Sequence, residues 1–189
     1  YNNLGRVFDI QDQPNEAIKY YQHAIKLNPY FIDAYNSLGN IFKSWNQLTE
    51  AEVCYQHAVV LNSNFAEAYH NLGQVFQSQG TLEEAVICYQ RAIRLNPNFA
   101  EAYGSLGEVF KSQNQLTEAE ACYQQVVALD SNNAEAYHQL GQIFQSQGTL
   151  EEAVACYQRA VALNPNLMEV HNDLGVVLGI NTSGRLLHS

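Results

Sequence analysis

The sequence has few basic residues: nine Lys and Arg stand against 19 Asp and Glu, for a formal net charge of −10. Because nucleic acids and anionic lipid surfaces are bound through clustered Lys and Arg, this balance argues against both as main partners. No apolar run in the sequence reaches the roughly 18 to 20 residues that a membrane-spanning helix needs, and we expect no signal peptide. The composition predicts a protein or peptide partner and no membrane insertion.

The short motifs of catalysis and metal binding are also missing. The sequence has no Gly-rich phosphate loop, no His-Glu-x-x-His, no Cys-x-x-Cys and no Gly-x-Ser-x-Gly. His70 and His138 are two repeats apart, about 20 Å for stacked helices, which is too far to share a metal ion. We therefore predict a noncatalytic chain with no cofactor and no metal.

Cysteine is scarce and evenly spaced, with Cys54, Cys88, Cys122 and Cys156 at one constant interval. Even spacing indicates equivalent positions of a repeat. Equivalent residues of stacked helical repeats lie about 10 Å apart, whereas a disulfide needs Cα atoms within about 7 Å. We therefore predict reduced, structural thiols, and we expect a reducing compartment such as the cytoplasm.

A 34-residue period is what the sequence does have. Leu-Gly recurs at this interval from Leu4-Gly5, through Leu38-Gly39, to Leu174-Gly175. A fixed period of this length is typical of stacked supersecondary units rather than of a globular core with one cleft. Within residues 66–99, apolar residues at spacings of three and four predict two amphipathic helices on either side of Gly80. The prediction is an all-α array of helical hairpins.

The turns and helix starts carry their own signals. One position between the two helices of each hairpin predicts a left-handed backbone, and it holds Asp12, Asn46, Gly80, Asn114 or Gly148. Thr81 followed by Glu84 predicts a capping box at the second helix. Four asparagines, each three residues before a glutamate, predict N-caps of the first helices: Asn64, Asn98, Asn132 and Asn166. An acidic ladder runs beside them: Asp33, Glu67, Glu101, Glu135 and Glu169.

The full pattern resembles the tetratricopeptide repeat. In the third unit its residues are Tyr69, Leu72-Gly73, Phe76, Ala85, Tyr89, Ala92 and Pro97. The resemblance implies a right-handed superhelical solenoid over residues 1–179. Its repeats are about 1–31, 32–65, 66–99, 100–133 and 134–167, followed by the first helix of a sixth at 168–179. Residues 180–189 are interpreted as a divergent tail or a vector-derived segment, and the chain as a piece of something longer. Alternate repeats are most alike, which gives a superperiod of two repeats.

The family places the first helix of each hairpin on the inner, concave wall, where partners lie. The resemblance therefore implies an amide-rich groove that binds an extended peptide or a partner helix, neutral to basic in charge. The candidate peptide-binding residues are expected to be exposed on this wall, and they are Asn3, Arg6, Asn36, Asn40, Lys43, His70, Asn71, Gln74, Gln77, Glu108, Lys111, His138, Gln139 and Gln142.

Three functions stay open. The first is a noncatalytic interaction scaffold, and the second is the substrate-recognition arm of a larger enzyme such as a glycosyltransferase. Asn3, Asn71 and Gln139 support the second, because their column resembles the Asn ladder of the O-linked N-acetylglucosamine transferases. The third is a spacer or self-assembly module. Since both ends carry exposed apolar residues, we also hypothesise end-to-end self-association or packing of the tail on the last helix.

Overall fold

A computed structural model describes the backbone of residues 1–186 and the side chains of residues 1–179. Within this part the chain forms eleven α-helices and no strand. They are α1 (Asn2–Ile10), α2 (Pro14–Leu27), α3 (Ile32–Ser44), α4 (Leu48–Leu61), α5 (Ala66–Gln79), α6 (Leu82–Leu95), α7 (Ala100–Ser112), α8 (Leu116–Leu129), α9 (Ala134–Gln147), α10 (Leu150–Leu163) and α11 (Met168–Leu186). The predicted all-α array of helical hairpins is confirmed.

The chain divides into two compact units, residues Tyr1–Pro97 with α1 to α6 and residues Asn98–Ser189 with α7 to α11. In each unit an odd-numbered helix forms a hairpin with the even-numbered helix that follows it. We call these the first and second helices of a hairpin. The predicted tail begins inside α11, and its residues 187–189 lie outside the described part of the chain.

Close packing inside each hairpin depends on the glycine of Leu-Gly. A Cβ atom built on Gly73 would lie 2.6 Å from Cε1 of Tyr89, and one on Gly39 would lie 2.6 Å from Cε1 of Tyr55. Both tyrosine rings are fully buried. The first helix can therefore approach the ring of the second helix only where it has no side chain of its own.

The second helix of one hairpin then packs on the first helix of the next. Tyr21 and Ala24 of α2 share a core cluster with Leu38 and Ile41 of α3. The same arrangement recurs between α4 and α5 and between α8 and α9. Each unit therefore has a core that runs along its stacked hairpins, as the period predicted.

The left-handed turns are confirmed at every predicted position. Gly80 and Gly148 have φ of +82°, and the three non-glycine residues have φ of +55° to +58°: Asp12, Asn46 and Asn114. Asn and Asp adopt this conformation more readily than other L-residues, because their short polar side chains bond locally. The positive φ at this turn thus restricts the position to Gly, Asn or Asp in every hairpin.

The predicted helix caps are wrong. The N-cap residues of α5, α7 and α9 are Phe65, Phe99 and Asn133, so the helices begin after the predicted asparagines. Asn64 instead donates its backbone N–H to Oδ1 of Asn62, in a turn that precedes the helix.

The capping box at Thr81 is wrong too. Thr81 makes no side-chain cap bond, and its hydroxyl donates to the carbonyl oxygen of Phe76 in the preceding helix. Thr149 repeats this bond to Phe144. The competing bond forms because the left-handed turn brings the threonine back against the end of the first helix.

Candidate functional site

The predicted binding residues differ widely in exposure. Asn3, Arg6, Asn40 and Glu108 are exposed. Six others are partly buried: Lys43, Gln74, Gln77, Lys111, Gln139 and Gln142. The prediction that the set is exposed is wrong for the last four, which are buried: Asn36, His70, Asn71 and His138.

In the first unit the buried amides bond to one another across neighbouring hairpins. Nδ2 of Asn71 on α5 donates to Oδ1 of Asn36 and to Oδ1 of Asn40 on α3, at 3.3 Å each. Nδ2 of Asn36 donates to Oε1 of Glu67 at 3.0 Å, and the hydroxyl of Tyr55 donates to Oδ1 of Asn40 at 2.7 Å. These side chains connect the first helices of two hairpins. Many of their hydrogen-bond donors and acceptors are therefore used between the hairpins and are not left for a peptide.

A lysine stands beside this network. Nζ of Lys43 donates to Oε1 of Gln74 at 2.6 Å and to Oδ1 of Asn71 at 3.2 Å. Burial lowers the pKa of Lys43, and the nearby Glu67 carboxylate opposes that shift. The two amide oxygens thus orient the end of the lysine side chain on the first-helix surface.

The second unit repeats the arrangement two hairpins further along the chain. Nζ of Lys111 donates to Oε1 of Gln142 at 2.8 Å and also to Oε1 of Gln139. Gln139 in turn donates to the carboxylate of Glu135 at 2.6 Å. The superperiod seen in the sequence is therefore a repeat of specific contacts as well as of residue types.

His138 belongs to the stack and not to the open surface. Its Nε2 lies 2.8 Å from Oδ2 of Asp173 on α11, and its ring centroid lies 5.9 Å from that of Tyr157. Gln142 also donates to Asp173, at 3.2 Å. Among the described residues, no group of three or more His, Cys, Asp and Glu side chains could hold a metal ion.

Two cavities open on either side of Lys111. One has a volume of about 540 Å³ and is lined by Lys111, Asn114, Gln142, Gln145, Ser146 and Asp173, among others. The other, of about 380 Å³, is lined by Gly104, Ser105, Glu108, Lys111, Tyr123, Glu135 and Gln139. We call these the Asp173 cavity and the Glu108 cavity. Their polar lining and a shared central lysine could hold an extended peptide with one side chain in each cavity.

Sequence reasoning missed some of the lining residues. Ser146 was not among the inner positions that the repeat pattern indicated, whereas Gln145, the repeat equivalent of the candidate Gln77, was one of them. Gln145 and Gln77 each accept a hydrogen bond from a core tyrosine, Tyr157 and Tyr89 respectively.

All four cysteines are free, and three are buried. Burial, with a smaller contribution from nearby glutamates, raises the pKa of the Cys54, Cys88 and Cys122 thiols to about 11. Burial likewise raises the pKa of the Cys156 thiol. Such thiols stay protonated near neutral pH and are poor nucleophiles, which is typical of packing residues.

We expect these thiols to make stability fall at alkaline pH. The unfolded thiol, with a pKa of 9.0, ionises before the folded one, whose pKa is about 11. The stabilisation is thus complete below pH 9 and is lost as pH rises through 11. Urea unfolding at pH 8 and at about pH 10 should show a smaller loss when Cys54, Cys88 and Cys122 are all replaced by alanine. An equal loss in both proteins would contradict the burial of the thiols.

Comparisons with known proteins agree with the fold. The sequence matches a family model described as Cilia and flagella-associated protein 70 C-terminal domain over residues 1–185. Among curated proteins, none matches the sequence significantly.

Solved structures of tetratricopeptide-repeat proteins resemble the chain. A MamA structure has 26% identity and a TM-score of 0.82, over 87% of this chain and 96% of its own. YrrB, a TPR protein with an unusual peptide-binding site, has 23% identity and a TM-score of 0.77, over 91% and 89%. TTC0263 of Thermus thermophilus has 22% identity and a TM-score of 0.67, over 94% and 96%. The predicted tetratricopeptide fold class is confirmed.

Proposed function

We infer that the chain, which belongs to the family described as Cilia and flagella-associated protein 70 C-terminal domain, is a noncatalytic scaffold. In this proposal its first helices bind an extended peptide or a partner helix. YrrB, a protein of the same fold, is a TPR protein with an unusual peptide-binding site, and this likeness supports the proposal. In the second unit we assign the site to the Asp173 and Glu108 cavities with Lys111 between them.

The observation that carries this proposal is the environment of Lys111. Its ammonium donates to two side-chain amides, and the residue lines both cavities. Glutamine amides offer donors and acceptors to a peptide backbone of any sequence, and the lysine adds one fixed positive charge. A few convergent polar groups around open cavities are the usual composition of a binding site.

The acidic residues set the partner's charge in this proposal. Glu108 and Glu135 line one cavity, and Asp173 lines the other. The N-cap residues differ from the predicted asparagines, but Glu67, Glu101 and Glu135 of the acidic ladder lie in the first turns of α5, α7 and α9, where an acid suits the helix dipole. Glu108 and Glu135 are exposed and Asp173 is partly buried, and carboxylates along the groove favour a neutral to basic peptide.

A library of synthetic peptides matched in length and graded in charge tests this proposal. Neutral to basic peptides should bind the chain more tightly than acidic ones, and their affinity should fall as salt is added. Fluorescence anisotropy measures both effects. Preferential binding of acidic peptides would contradict the charge assignment, and no binding by any peptide would contradict the function.

The groove could also serve as the substrate-recognition arm of a larger enzyme, such as a glycosyltransferase. The sequence of the parent gene on both sides of residues 1–189 distinguishes that role from a scaffold. Within the described residues, no helix is long and apolar enough to cross a membrane. The free thiols support the expected location in the cytoplasm, a reducing compartment.

A further inference from the structure

The hairpin of α7 and α8 lacks a side chain that two other hairpins have. In the hairpin of α5 and α6, His70 lies against Tyr89, with ring centroids 5.6 Å apart. In the hairpin of α9 and α10, His138 lies against Tyr157 in the same way, at 5.9 Å. The equivalent residue of α7 is Gly104, and no heavy atom of a neighbouring side chain or helix lies within 4 Å of a Cβ atom built there. The place of the imidazole is therefore open in this hairpin.

The space beside Gly104 belongs to two cavities that share part of their lining. The Glu108 cavity, of about 380 Å³, and a further cavity of about 240 Å³ are both lined by Gly104, Tyr123 and Glu135. We call the two cavities together the Gly104 pocket. The charged residues of its lining are four carboxylates and one ammonium: Glu101, Glu108, Asp130, Glu135 and Lys111. This excess of negative charge favours a positively charged occupant.

Tyr123 brings a buried hydroxyl to the Gly104 pocket. Its repeat equivalent Tyr157 donates to Gln145, but the equivalent of that glutamine beside Tyr123 is Lys111, whose ammonium cannot accept a hydrogen bond. Tyr123 is only 6% exposed, and no residue in the described part of the chain accepts a hydrogen bond from its hydroxyl. A buried polar group without a partner in the protein points to a ligand at this place.

Two carboxylates of the pocket act on this hydroxyl. Burial first, and then the negative charges of Glu108 and Glu135, raises the pKa of Tyr123. The charges of both carboxylates therefore reach the end of the tyrosine side chain. A cation bound beside the ring would interact with both of them.

We propose that the Gly104 pocket binds the guanidinium group of an arginine in the peptide partner, an inference that rests on the proposed peptide-binding function. The planar group would take the place beside Tyr123 that His70 and His138 take beside their own tyrosines. A guanidinium stacks on an aromatic ring and binds a carboxylate through two parallel hydrogen bonds, whereas the ammonium of lysine is a compact point charge. The hydroxyl oxygen of Tyr123 can accept a further hydrogen bond from it.

Peptides of the charge-graded library that carry a single arginine test the proposal. In the one that binds most tightly, the arginine is replaced by lysine or by citrulline, which keeps the shape of arginine without its charge. Citrulline should weaken binding by about tenfold or more, because charged hydrogen bonds are lost, and the lysine peptide should bind with an intermediate affinity. Fluorescence anisotropy measures the three affinities. Equal affinity of the arginine peptide and either of the other two would overturn the proposal.

Gly104→His tests whether the arginine lies in this pocket. The variant adds the imidazole that two other hairpins have at the same position, and the space around Gly104 admits it, so it should fold. The ratio of the arginine and citrulline affinities should fall towards one. Gln125→His is the matched control, since Gln125 is exposed on α8, lies outside the lining of the pocket and has His23 and His57 as repeat equivalents. It should keep the ratio of the parent protein.

Glu135→Gln provides a second variant, at an exposed position where the fold should tolerate it. It removes one carboxylate of the pocket and should also lower the ratio. A ratio that neither Gly104→His nor Glu135→Gln changes would overturn the proposal. Peptides that bind with no dependence on arginine would overturn it while the scaffold function stands, whereas a failure of every peptide to bind would contradict both.

Discussion

Replacement of Gly141 by alanine should destabilise the second unit by about 3 kcal/mol, the upper part of the range for overpacking. A Cβ atom on Gly141 would lie 2.5 Å from Cδ1 of Tyr157, and that ring is fully buried. A shift of the ring would also strain the hydrogen bond that its hydroxyl donates to Gln145 at 2.7 Å. The hairpin of α9 and α10 would therefore have to open.

Gly104 provides the matched control in the same unit. No heavy atom lies within 4 Å of a Cβ built there, so Gly104→Ala should be neutral or stabilise by about 0.5–1 kcal/mol through helix propensity. Gly107→Ala should fall between the two, since its nearest ring atom is at 2.9 Å. Urea unfolding followed by circular dichroism gives the order. Equal stability of the Gly141 and Gly104 variants would contradict the assigned packing.

Replacement of Lys111 by methionine should weaken peptide binding by about tenfold or more, because a charged hydrogen bond is worth roughly 1.5–3 kcal/mol. Methionine keeps most of the side-chain volume and removes only the ammonium of a residue that lines both cavities. The loss should appear in the affinity for the tightest peptide of the charge-graded library, measured by anisotropy.

Lys26→Met is the control for the loss of one positive charge. Lys26 is exposed in the last turn of α2, a second helix of the first unit. The Lys26→Met variant should bind the peptide with unchanged affinity, apart from a small electrostatic effect. If both variants bound the peptide equally, the site would not involve Lys111. A melting curve of the Lys111 variant that matches the parent protein rules out loss of fold as the cause.

The period made the hairpins, their turns and their buried tyrosines predictable. Leu-Gly at fixed spacing placed Gly73 opposite Tyr89, and the turn position selected residues that tolerate positive φ. These features depend on contacts between residues at fixed positions of the repeat, and every hairpin repeats them. Such positions can be recognised from a single sequence, because equivalent residues recur at the same interval.

The first-helix surface was predictable only in part. Asn71 is buried because Asn36 and Asn40 of the preceding hairpin lie against it, and their Oδ1 atoms are each 3.3 Å from its Nδ2. Ser37 is the residue of the second hairpin that is equivalent to Asn71, and its side chain is shorter. The same position of the repeat therefore forms different bonds in different hairpins. The helix caps failed for a related reason, since Asn64 bonds with Asn62 in a turn instead of capping. Residue type gave the polarity of these positions but not their bonding partners.

The site around Lys111 can be tested directly by NMR of the lysine side chains. The sequence has four lysines, Lys19, Lys26, Lys43 and Lys111, and reductive ¹³C-methylation labels each without removing its charge. On addition of the tightest peptide, the Lys111 signal should shift with saturation, while the exposed Lys19 and Lys26 signals of α2 should stay in place. Shifts confined to Lys19 and Lys26, or a Lys111 signal that does not move at saturation, would contradict the proposed groove.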